Sequence, residues 1–279
     1  MFTILSVFFF LFGLILGSFF NVIILRLVRE KNILGRSRCL DCGIQLKWYD
    51  NIPLLSFIFL KGKCRYCARP ISWQYPLVEL ASGLLWLVGY LVIARSVSDE
   101  AILTFGQGIT SPVFGWAAMT PEQWLAVMTF GIFSSILLIL FVFDLRWYIL
   151  PDIITIPAIV VALIINLMLG KDWLWLIISA VAGAVWFLLQ YVLSRGKWVG
   201  SGDIRLGALI GAMLGSWQGL LIALFLAYLS GSVVAMVLVA IKKKGWKSQL
   251  PFGAFLTIAT VITLLWGTQL WDWYLGLLW

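Results

Sequence analysis

The chain has 279 residues, of which 62% are hydrophobic and only 11% are charged, and its formal net charge is +8. A soluble domain of this length needs more charge to cover its surface, so the composition indicates a membrane protein. The sequence contains no histidine, which excludes Ser-His-Asp and Cys-His catalysis as well as histidine-ligated metal sites.

Long apolar runs predict the secondary structure, because about 18 or more consecutive apolar residues indicate a membrane-spanning helix. Several such runs predict an all-α bundle, since lipid offers no partner to unpaired backbone groups. The eight predicted transmembrane spans cover residues 2–25, 76–94, 124–143, 153–169, 173–193, 204–217, 218–241 and 252–270. The first is expected to stay uncleaved, because no basic segment precedes it and no small-residue cleavage site follows.

The basic residues predict the orientation of the spans. Residues 26–75 hold ten of the twenty lysines and arginines but only three acids, so this segment is predicted to be cytoplasmic. Both termini then lie outside, and eighteen of the twenty basic residues face the cytoplasm. The chain thus divides into a first span (1–25), a cytoplasmic loop (26–75) and a seven-span core (76–279). The basic loop also suits contact with anionic lipid headgroups.

All four cysteines lie in this cytoplasmic loop, in two C-x-x-C pairs. They are Cys39, Cys42, Cys64 and Cys67. Such pairs predict one tetrahedral zinc site, and four thiolates would close it, which makes the metal structural. Gly43 and Gly62 suit the tight turns of two knuckles. A reducing cytoplasm argues against disulfides, and free or redox-active thiols are the alternative to zinc.

Two aspartates lie where predicted spans meet the cytoplasm. Asp144 directly follows the apolar run of the third span, and Asp203 ends the run Gly200-Ser201-Gly202-Asp203 before the sixth. Two neighbouring carboxylates share a proton, so one can act as general base on water while the other protonates a carbonyl. The pair therefore suits peptide hydrolysis that uses no histidine, metal or covalent intermediate.

The residues alone leave other roles open for these acids. Asp203 suits an N-cap of the sixth span, Asp152 suits an N-cap of the fourth, and Asp144 suits an ion pair with Arg146. A proton-coupled transporter also uses intramembrane acids, although it places them near the bilayer midplane. A zinc-loop scaffold that only recruits partners explains the cysteines but not two aspartates at one depth.

Several short motifs follow one another along the chain. They are Gly17-Ser18-Phe19-Phe20-Asn21-Val22 with Arg26-Leu27, Asp50-Asn51-Ile52-Pro53-Leu54-Leu55-Ser56, Gly62-Lys63-Cys64-Arg65-Tyr66-Cys67, Ile71-Ser72, Tyr75-Pro76-Leu77-Val78-Glu79, Phe143-Asp144 with Leu150-Pro151-Asp152, Gly200-Ser201-Gly202-Asp203 and Pro251-Phe252-Gly253. In this order they resemble the motifs of the type IV prepilin peptidases, which are aspartyl proteases with a Gly-x-Gly-Asp signature. The resemblance implies that Asp144 and Asp203 are the catalytic pair and that residues 76–279 form an aspartyl protease core.

The resemblance also implies a substrate and a cofactor. Family members cleave the leader of prepilins and pseudopilins after a glycine, on the cytoplasmic side of the bacterial inner membrane. Many then methylate the new N-terminus with S-adenosylmethionine, and the cysteine loop, Glu79 and Gly83 resemble those members. From the residues alone, Gly83 suits helix packing and Glu79 suits an interfacial cap. The expected partners are prepilins and membrane lipid, with no nucleic acid.

The chain departs from the family pattern at two points. Arg205 stands where the family usually has a lysine, two residues after the second aspartate. The positive charge is kept, while the geometry of the hydrogen-bond donor changes. The first cysteine knuckle lacks the proline often found beside it. Neither departure alters the expected peptidase activity.

Overall fold

The structure is a computed structural model that describes residues 2–29, 35–104, 119–241 and 250–277. Within these ranges the chain is helical and contains no named strand, in agreement with the predicted all-α class. The helices are α1 (Phe2–Val28), α2 (Leu55–Phe59), α3 (Gln74–Thr104), α4 (Pro121–Trp147), α5 (Asp152–Met168), α6 (Trp173–Ser194), α7 (Ser201–Leu214), α8 (Trp217–Ala240) and α9 (Phe252–Gly276), with one 3₁₀ turn at Trp48–Asn51.

Each of the eight predicted spans coincides with a helix, and six of these helices are long and apolar enough to cross a membrane. The six are α1, α3, α4, α6, α8 and α9. The chain is therefore a multi-pass membrane protein. Helices α5 and α7 have only 17 and 14 residues, so the count of eight crossings remains a prediction.

The predicted boundaries of the sixth and seventh spans were wrong by a few residues. Helix α7 begins at Ser201 rather than at 204, and α8 begins at Trp217 rather than at 218. The apolar run starts only after Asp203, whereas helical hydrogen bonding starts at the Gly-Ser-Gly segment that precedes it. As a result, Asp203 lies inside the first turn of α7.

The chain forms two compact units, Met1–Leu138 and Ile139–Trp279, and the boundary between them falls within α4. The division into segments 1–25, 26–75 and 76–279 remains a prediction. The first unit contains the cysteine loop, and the second contains both aspartates of interest.

In the first unit, α1 packs closely against α3 through two glycines of α1. A methyl group on Gly13 would lie 2.7 Å from the Ser82 carbonyl oxygen, and one on Gly17 would lie 2.7 Å from the Glu79 Cα. Small residues spaced by four let membrane helices approach in this way. Buried Asn21 also donates to the Tyr75 carbonyl oxygen at 3.1 Å, which ties the end of α1 to the start of α3.

In the second unit, α7 is largely buried, with contacts to α5, α6, α8 and α9. Gly207 of α7 faces Gly183 of α6 so closely that a methyl group on either glycine would overlap the other's carbonyl oxygen. Helix α5 exposes an apolar stripe instead. The exposed residues are Ile153, Ile156, Val160, Val161, Ile164, Leu167 and Met168. This pattern places α7 in the protein interior and one face of α5 toward lipid.

Candidate active site

Asp144 lies one turn before the end of α4, and its side chain is buried. Its Oδ2 accepts a hydrogen bond of 2.7 Å from the backbone N–H of Ala254, in the first turn of α9. The first amides of a helix have no partner inside the helix and attract negative charge. The carboxylate is therefore held by the backbone at the start of α9.

Asp203 is the third residue of α7 and is also buried. Its Oδ2 accepts a hydrogen bond of 2.9 Å from the backbone N–H of Gly200, which is the N-cap residue of the helix. The suggestion that Asp203 is itself the N-cap was therefore wrong. A carboxylate at the third position of a helix can accept a hydrogen bond from the backbone N–H of the N-cap residue, which holds its side chain at the start of the helix.

The end of α4, which carries Asp144, meets the start of α9, and the start of α9 also lies beside the first turns of α7, which carries Asp203. Leu206 lies one turn after Asp203, and a methyl group on Gly253 would approach both the Leu206 Cδ2 at 3.3 Å and the Asp144 Cγ at 3.0 Å. Asp144 and Asp203 are both buried in the second unit, at ends of helices that both contact α9. Two buried carboxylates that lie close together can share one proton and so combine an acid and a base in one site.

The segment between α4 and α5 packs against the start of α7. The side chain of Leu150 lies against Gly202, where a methyl group would sit 3.1 Å from the Leu150 Cβ. Asp152 forms an ion pair with Arg205. Asp152 is the first residue of α5 after Pro151, so it is not the N-cap that the sequence suggested. Arg205 therefore has a structural partner beside the aspartates.

The four cysteines come together in the first unit, as the C-x-x-C pairs predicted. Their sulfur atoms all lie within 4.8 Å of one another, and Cys39 Sγ is 3.9 Å from Cys67 Sγ. A tetrahedral zinc ion with bonds of about 2.3 Å places its sulfur ligands about 3.8 Å apart. The residues present therefore fit a divalent metal ion of this kind.

The two knuckles have the same backbone hydrogen bonds. The N–H of Cys39 donates to the Ile44 carbonyl at 2.9 Å, and the N–H of Cys64 donates to the Arg69 carbonyl at 2.8 Å. Gly43 takes the left-handed turn of the first knuckle with φ 72°. At the equivalent place of the second knuckle stands Ala68, with φ 56°. Gly62 also takes a left-handed conformation, with φ 69°, two residues before Cys64, so both predicted glycines are used in turns.

The thiols of the cluster differ in acidity. Burial opposes ionisation of Cys39, but hydrogen bonds from the backbone of Cys42 and Asp41 outweigh it and lower its pKa to about 7. The backbone of Arg69 favours the Cys67 thiolate, but burial and the three neighbouring thiols raise its pKa to about 12. A central cation relieves this competition, because it lets all four thiolates form.

Asp50 connects the 3₁₀ turn to the second knuckle. It accepts hydrogen bonds from Arg65 Nε at 2.8 Å and from the Tyr66 hydroxyl at 3.2 Å. Burial opposes its ionisation, yet these bonds and one from the Lys47 backbone lower the pKa of the carboxyl below its ordinary value. The loop therefore has its own polar core next to the cysteines.

Glu79 lies on the second turn of α3, is buried, and lines a cavity of about 1210 Å³ in the first unit. Its Oε2 accepts a hydrogen bond of 2.8 Å from the N–H of Leu54, which has the positive φ of 58° that a non-glycine residue rarely adopts. Gly83 packs against Leu14 and Phe10 of α1 and is not among the residues that line the cavity.

Sequence reasoning missed the backbone of α9 as part of the site. Ala254 supplies the N–H that holds Asp144, although the two residues are 110 positions apart. The only signal in the sequence is the run Pro251-Phe252-Gly253, a motif to which the family resemblance assigns no role. A contact made by a main-chain amide leaves no trace in side-chain composition.

Comparisons with known proteins agree with the motifs. The family model described as Bacterial Peptidase A24 N-terminal domain matches residues 11–93, and the model described as Type IV leader peptidase family matches residues 131–236. No solved structure matched.

Curated relatives carry the name prepilin leader peptidase/N-methyltransferase. One from Aeromonas salmonicida is 35% identical over 96% of this chain and 92% of its own length. One from Myxococcus xanthus is 35% identical over 84% of this chain and 63% of its own length. One from Pseudomonas aeruginosa is 31% identical over 95% of this chain and 91% of its own length. The chain therefore belongs to the type IV leader peptidase family.

Proposed function

We propose that this chain is a membrane aspartyl endopeptidase that removes the N-terminal leader of type IV prepilins and pseudopilins. Asp144 and Asp203 would cut after a glycine at the cytoplasmic face of the bacterial inner membrane, with both chain termini outside. The observation that supports the proposal is the burial of two aspartates, at the end of α4 and at the start of α7, each held by a backbone amide.

The two carboxylates suffice for the hydrolysis. In the shared-proton state, the ionised carboxylate takes a proton from water as the oxygen attacks the scissile carbonyl carbon. The protonated partner gives its proton to the carbonyl oxygen. The C–N bond then breaks and its electron pair stays on nitrogen, which takes the proton that the first carboxyl received from water. A hydroxyl of the tetrahedral intermediate returns its proton to the second carboxylate as the carbonyl forms again. Water is thereby added across the peptide bond, and both carboxylates recover their starting state.

The relatives' shared name favours a peptidase over a proton-coupled transporter that uses the same two aspartates. The aspartates also lie at helix ends, one turn or less from a terminus, and not at the middle of a long span. Transporters place their coupling groups near the bilayer midplane.

The decisive test of cleavage replaces each aspartate by its neutral isostere. Purified Asp144→Asn and Asp203→Asn proteins, incubated with a prepilin in detergent, are expected to lose cleavage by about 1000-fold or more while remaining folded. Asp172→Asn is the matched control, because Asp172 caps α6 through Leu174 and asparagine caps equally well. Normal processing by either dyad variant contradicts the proposal.

We further propose that the first unit methylates the new N-terminus. Its cavity is large enough for a cofactor of the size of S-adenosylmethionine and holds the buried carboxylate of Glu79. When bound, this cofactor supplies an electrophilic methyl group. Glu79 would hold the substrate ammonium and take its proton, and Gly83 would support the site by letting α3 approach α1.

The cysteines Cys39, Cys42, Cys64 and Cys67 would hold a structural zinc ion that keeps the loop around this cavity folded. Cys39, Cys64 and Asp50 are among the residues that line the cavity, which connects the state of the loop to the shape of the cavity wall.

Mass spectrometry of the cleaved product tests the methylation. Glu79→Gln is expected to release an unmethylated N-terminus at a near-normal rate, and Glu122→Gln, an exposed acid at the start of α4, serves as control. Full methylation by Glu79→Gln removes the proposed role of this carboxylate.

A further inference from the structure

Helix α7 carries Asp203 in its first turn, so the depth and tilt of this helix decide where the carboxylate lies. The helix has 14 residues and a length of about 21 Å, which is shorter than a bilayer core of about 30 Å. The last four residues of α7, 211–214, are all buried in the surrounding protein. Neighbouring protein groups rather than bulk water must therefore satisfy the backbone there.

Each of the last four carbonyl groups of α7 accepts a hydrogen bond from a side chain of another segment. The Gly211 carbonyl also accepts one from the backbone N–H of the C-cap residue Gly215, at 2.9 Å. Ser179 Oγ donates to the Gly211 carbonyl at 2.5 Å. Asn166 Nδ2 donates to the carbonyls of both Ala212 and Met213, at 2.7 and 3.0 Å. Lys171 Nζ donates to the Leu214 carbonyl at 3.1 Å.

These donors come from three consecutive segments: Asn166 from α5, Lys171 from the following turn and Ser179 from α6. Asn166 and Ser179 are completely or almost completely buried, with 1% and 0% of their surface exposed. A buried amide is costly unless it is hydrogen-bonded, so the position of Asn166 is tied to the carbonyls it contacts. A shift of α7 by one residue, about 1.5 Å, would break all of these bonds.

Helix α5 also contacts α7 at its other end. The Asp152–Arg205 ion pair lies at the start of both helices, and the Asn166 contacts lie near their ends. The two helices therefore run parallel, with α5 alongside α7 from the Asp203 end to the capped end. This arrangement restrains sliding of α7 along its axis as well as tilting.

We propose that Asn166, with Lys171 and Ser179, positions Asp203 for catalysis by fixing the depth of α7. These are positioning residues, since they contact only the far end of the helix that carries the aspartate. The inference rests on the proposed role of Asp203 as one of the two catalytic carboxylates.

The kinetic test uses Asn166→Leu, which keeps the side-chain shape and removes both donated hydrogen bonds. We expect kcat for prepilin cleavage to fall by roughly 100-fold with KM little changed, because small misplacements of a catalytic group are costly. The pH range over which kcat stays near its maximum should also become narrower. Carboxylates that move apart interact less, so their two apparent pKa values approach each other.

The matched control is Thr263→Val, which breaks a buried hydrogen bond to the Ala259 carbonyl within α9 and none of the bonds to the carbonyls of α7. It is expected to lower stability without changing the shape of the pH profile. A folded Asn166→Leu protein with wild-type kcat and an unchanged profile overturns the inference. If Asn166→Leu does not fold, Lys171→Met is tested in its place. A lower kcat with a narrower pH profile supports the inference, and a wild-type kcat with an unchanged profile overturns it.

A second readout is independent of cleavage. Ser201 is exposed at the start of α7, and Ser201→Cys can be labelled with a membrane-impermeant maleimide and identified by peptide mass spectrometry. Adding Asn166→Leu should change the labelling rate several-fold, whereas adding Thr263→Val should not. An unchanged rate contradicts the fixed depth of α7, while absence of cleavage by the wild-type protein contradicts only the proposed function.

Discussion

Gly253 leaves the carboxylate of Asp144 little spare room. A methyl group at this glycine would lie 3.0 Å from both Cγ and Oδ2 of Asp144, which is tighter than ordinary van der Waals contact. The same backbone turn supplies the Ala254 N–H that the carboxylate accepts. Glycine is therefore the residue that fits beside the aspartate. The reason is the lack of space for a methyl group and not the backbone conformation.

Gly253→Ala is accordingly expected to displace Asp144 and to reduce kcat for cleavage by about 10- to 100-fold with little loss of folded protein. Gly231→Ala is the matched control, since a methyl group there would meet Phe255 at an ordinary 3.6 Å. The comparison is made by initial-rate assays with a prepilin. Equal rates for the two variants show that the site tolerates the added methyl group.

The two knuckles of the cysteine loop differ at one turn residue. Gly43 and Ala68 both have positive φ, and only glycine adopts this conformation without steric cost. A non-glycine residue in this conformation destabilises the folded loop by about 1–2 kcal/mol. Part of this cost is offset because a non-glycine residue loses less backbone conformational entropy than glycine on folding. The second knuckle is therefore the more strained one.

Exchanging these residues should change metal retention in opposite directions. Ala68→Gly is expected to strengthen zinc binding by about 0.5–1 kcal/mol, and Gly43→Ala to weaken it by a similar amount. A methyl group on Gly43 meets nothing within 4 Å, so its effect is conformational alone. Competition with a chelator, followed by a metal indicator, measures both, and the same sign for the two variants contradicts this explanation.

At the scale of single elements, contact between α6 and α7 depends on the absence of side chains. Gly207 and Gly183 pack backbone against backbone, and Gly211 lies equally close to Ser179. In lipid the hydrophobic effect does not favour contact between helices, because lipid tails are as apolar as the side chains. Close approach of two membrane helices is stabilised instead by van der Waals contact and interhelical hydrogen bonds. The Ser179 bond to the Gly211 carbonyl is one of these.

Gly207→Ala should therefore separate α6 from α7 and destabilise the second unit by roughly 1–3 kcal/mol, the usual range for overpacking. Gly276→Ala, near the end of α9, meets nothing within 4 Å and should be neutral or slightly stabilising. Thermal unfolding in detergent, followed by tryptophan fluorescence, compares the two. A Gly207→Ala protein as stable as Gly276→Ala contradicts the close-packing explanation.

The elements also show what a hydropathy pattern can and cannot predict. It located the eight apolar helices, because a span must be apolar over most of its length. It did not predict α2 and the 3₁₀ turn, which are too short to show a periodic pattern of apolar residues. It also placed the start of α7 three residues too late, because Ser201 and Gly202 are not apolar. The partners of Asn166 were out of reach, because they are main-chain carbonyls more than 40 residues away.

At the scale of the whole molecule, the two family models fall in different compact units. The N-terminal domain match, residues 11–93, lies in Met1–Leu138, and most of the leader peptidase match, residues 131–236, lies in Ile139–Trp279. The motifs predicted the residues of each site, but the sequence did not indicate in which compact unit each site lies. The two proposed activities can therefore be disturbed separately.

Loss of the metal should reveal this separation. Cys42→Ser, or removal of zinc by a chelator, is expected to open the 39–67 loop and abolish methylation, while cleavage falls less than about 10-fold. The reason is that the aspartates and the helices that hold them lie in the other unit. Metal content, product mass and cleavage rate are measured on one preparation, and parallel loss of both activities contradicts independent sites.

The lipid-facing stripe of α5 has a consequence for the surrounding bilayer. If α5 crosses the bilayer as predicted, its 17 residues present only about 25 Å of apolar surface to acyl chains that prefer about 30 Å. Hydrophobic mismatch of this size draws the two leaflets together beside the helix. Short-chain lipids should therefore collect along α5, and polar groups of an approaching polypeptide would cross a thinner barrier there than elsewhere around the protein.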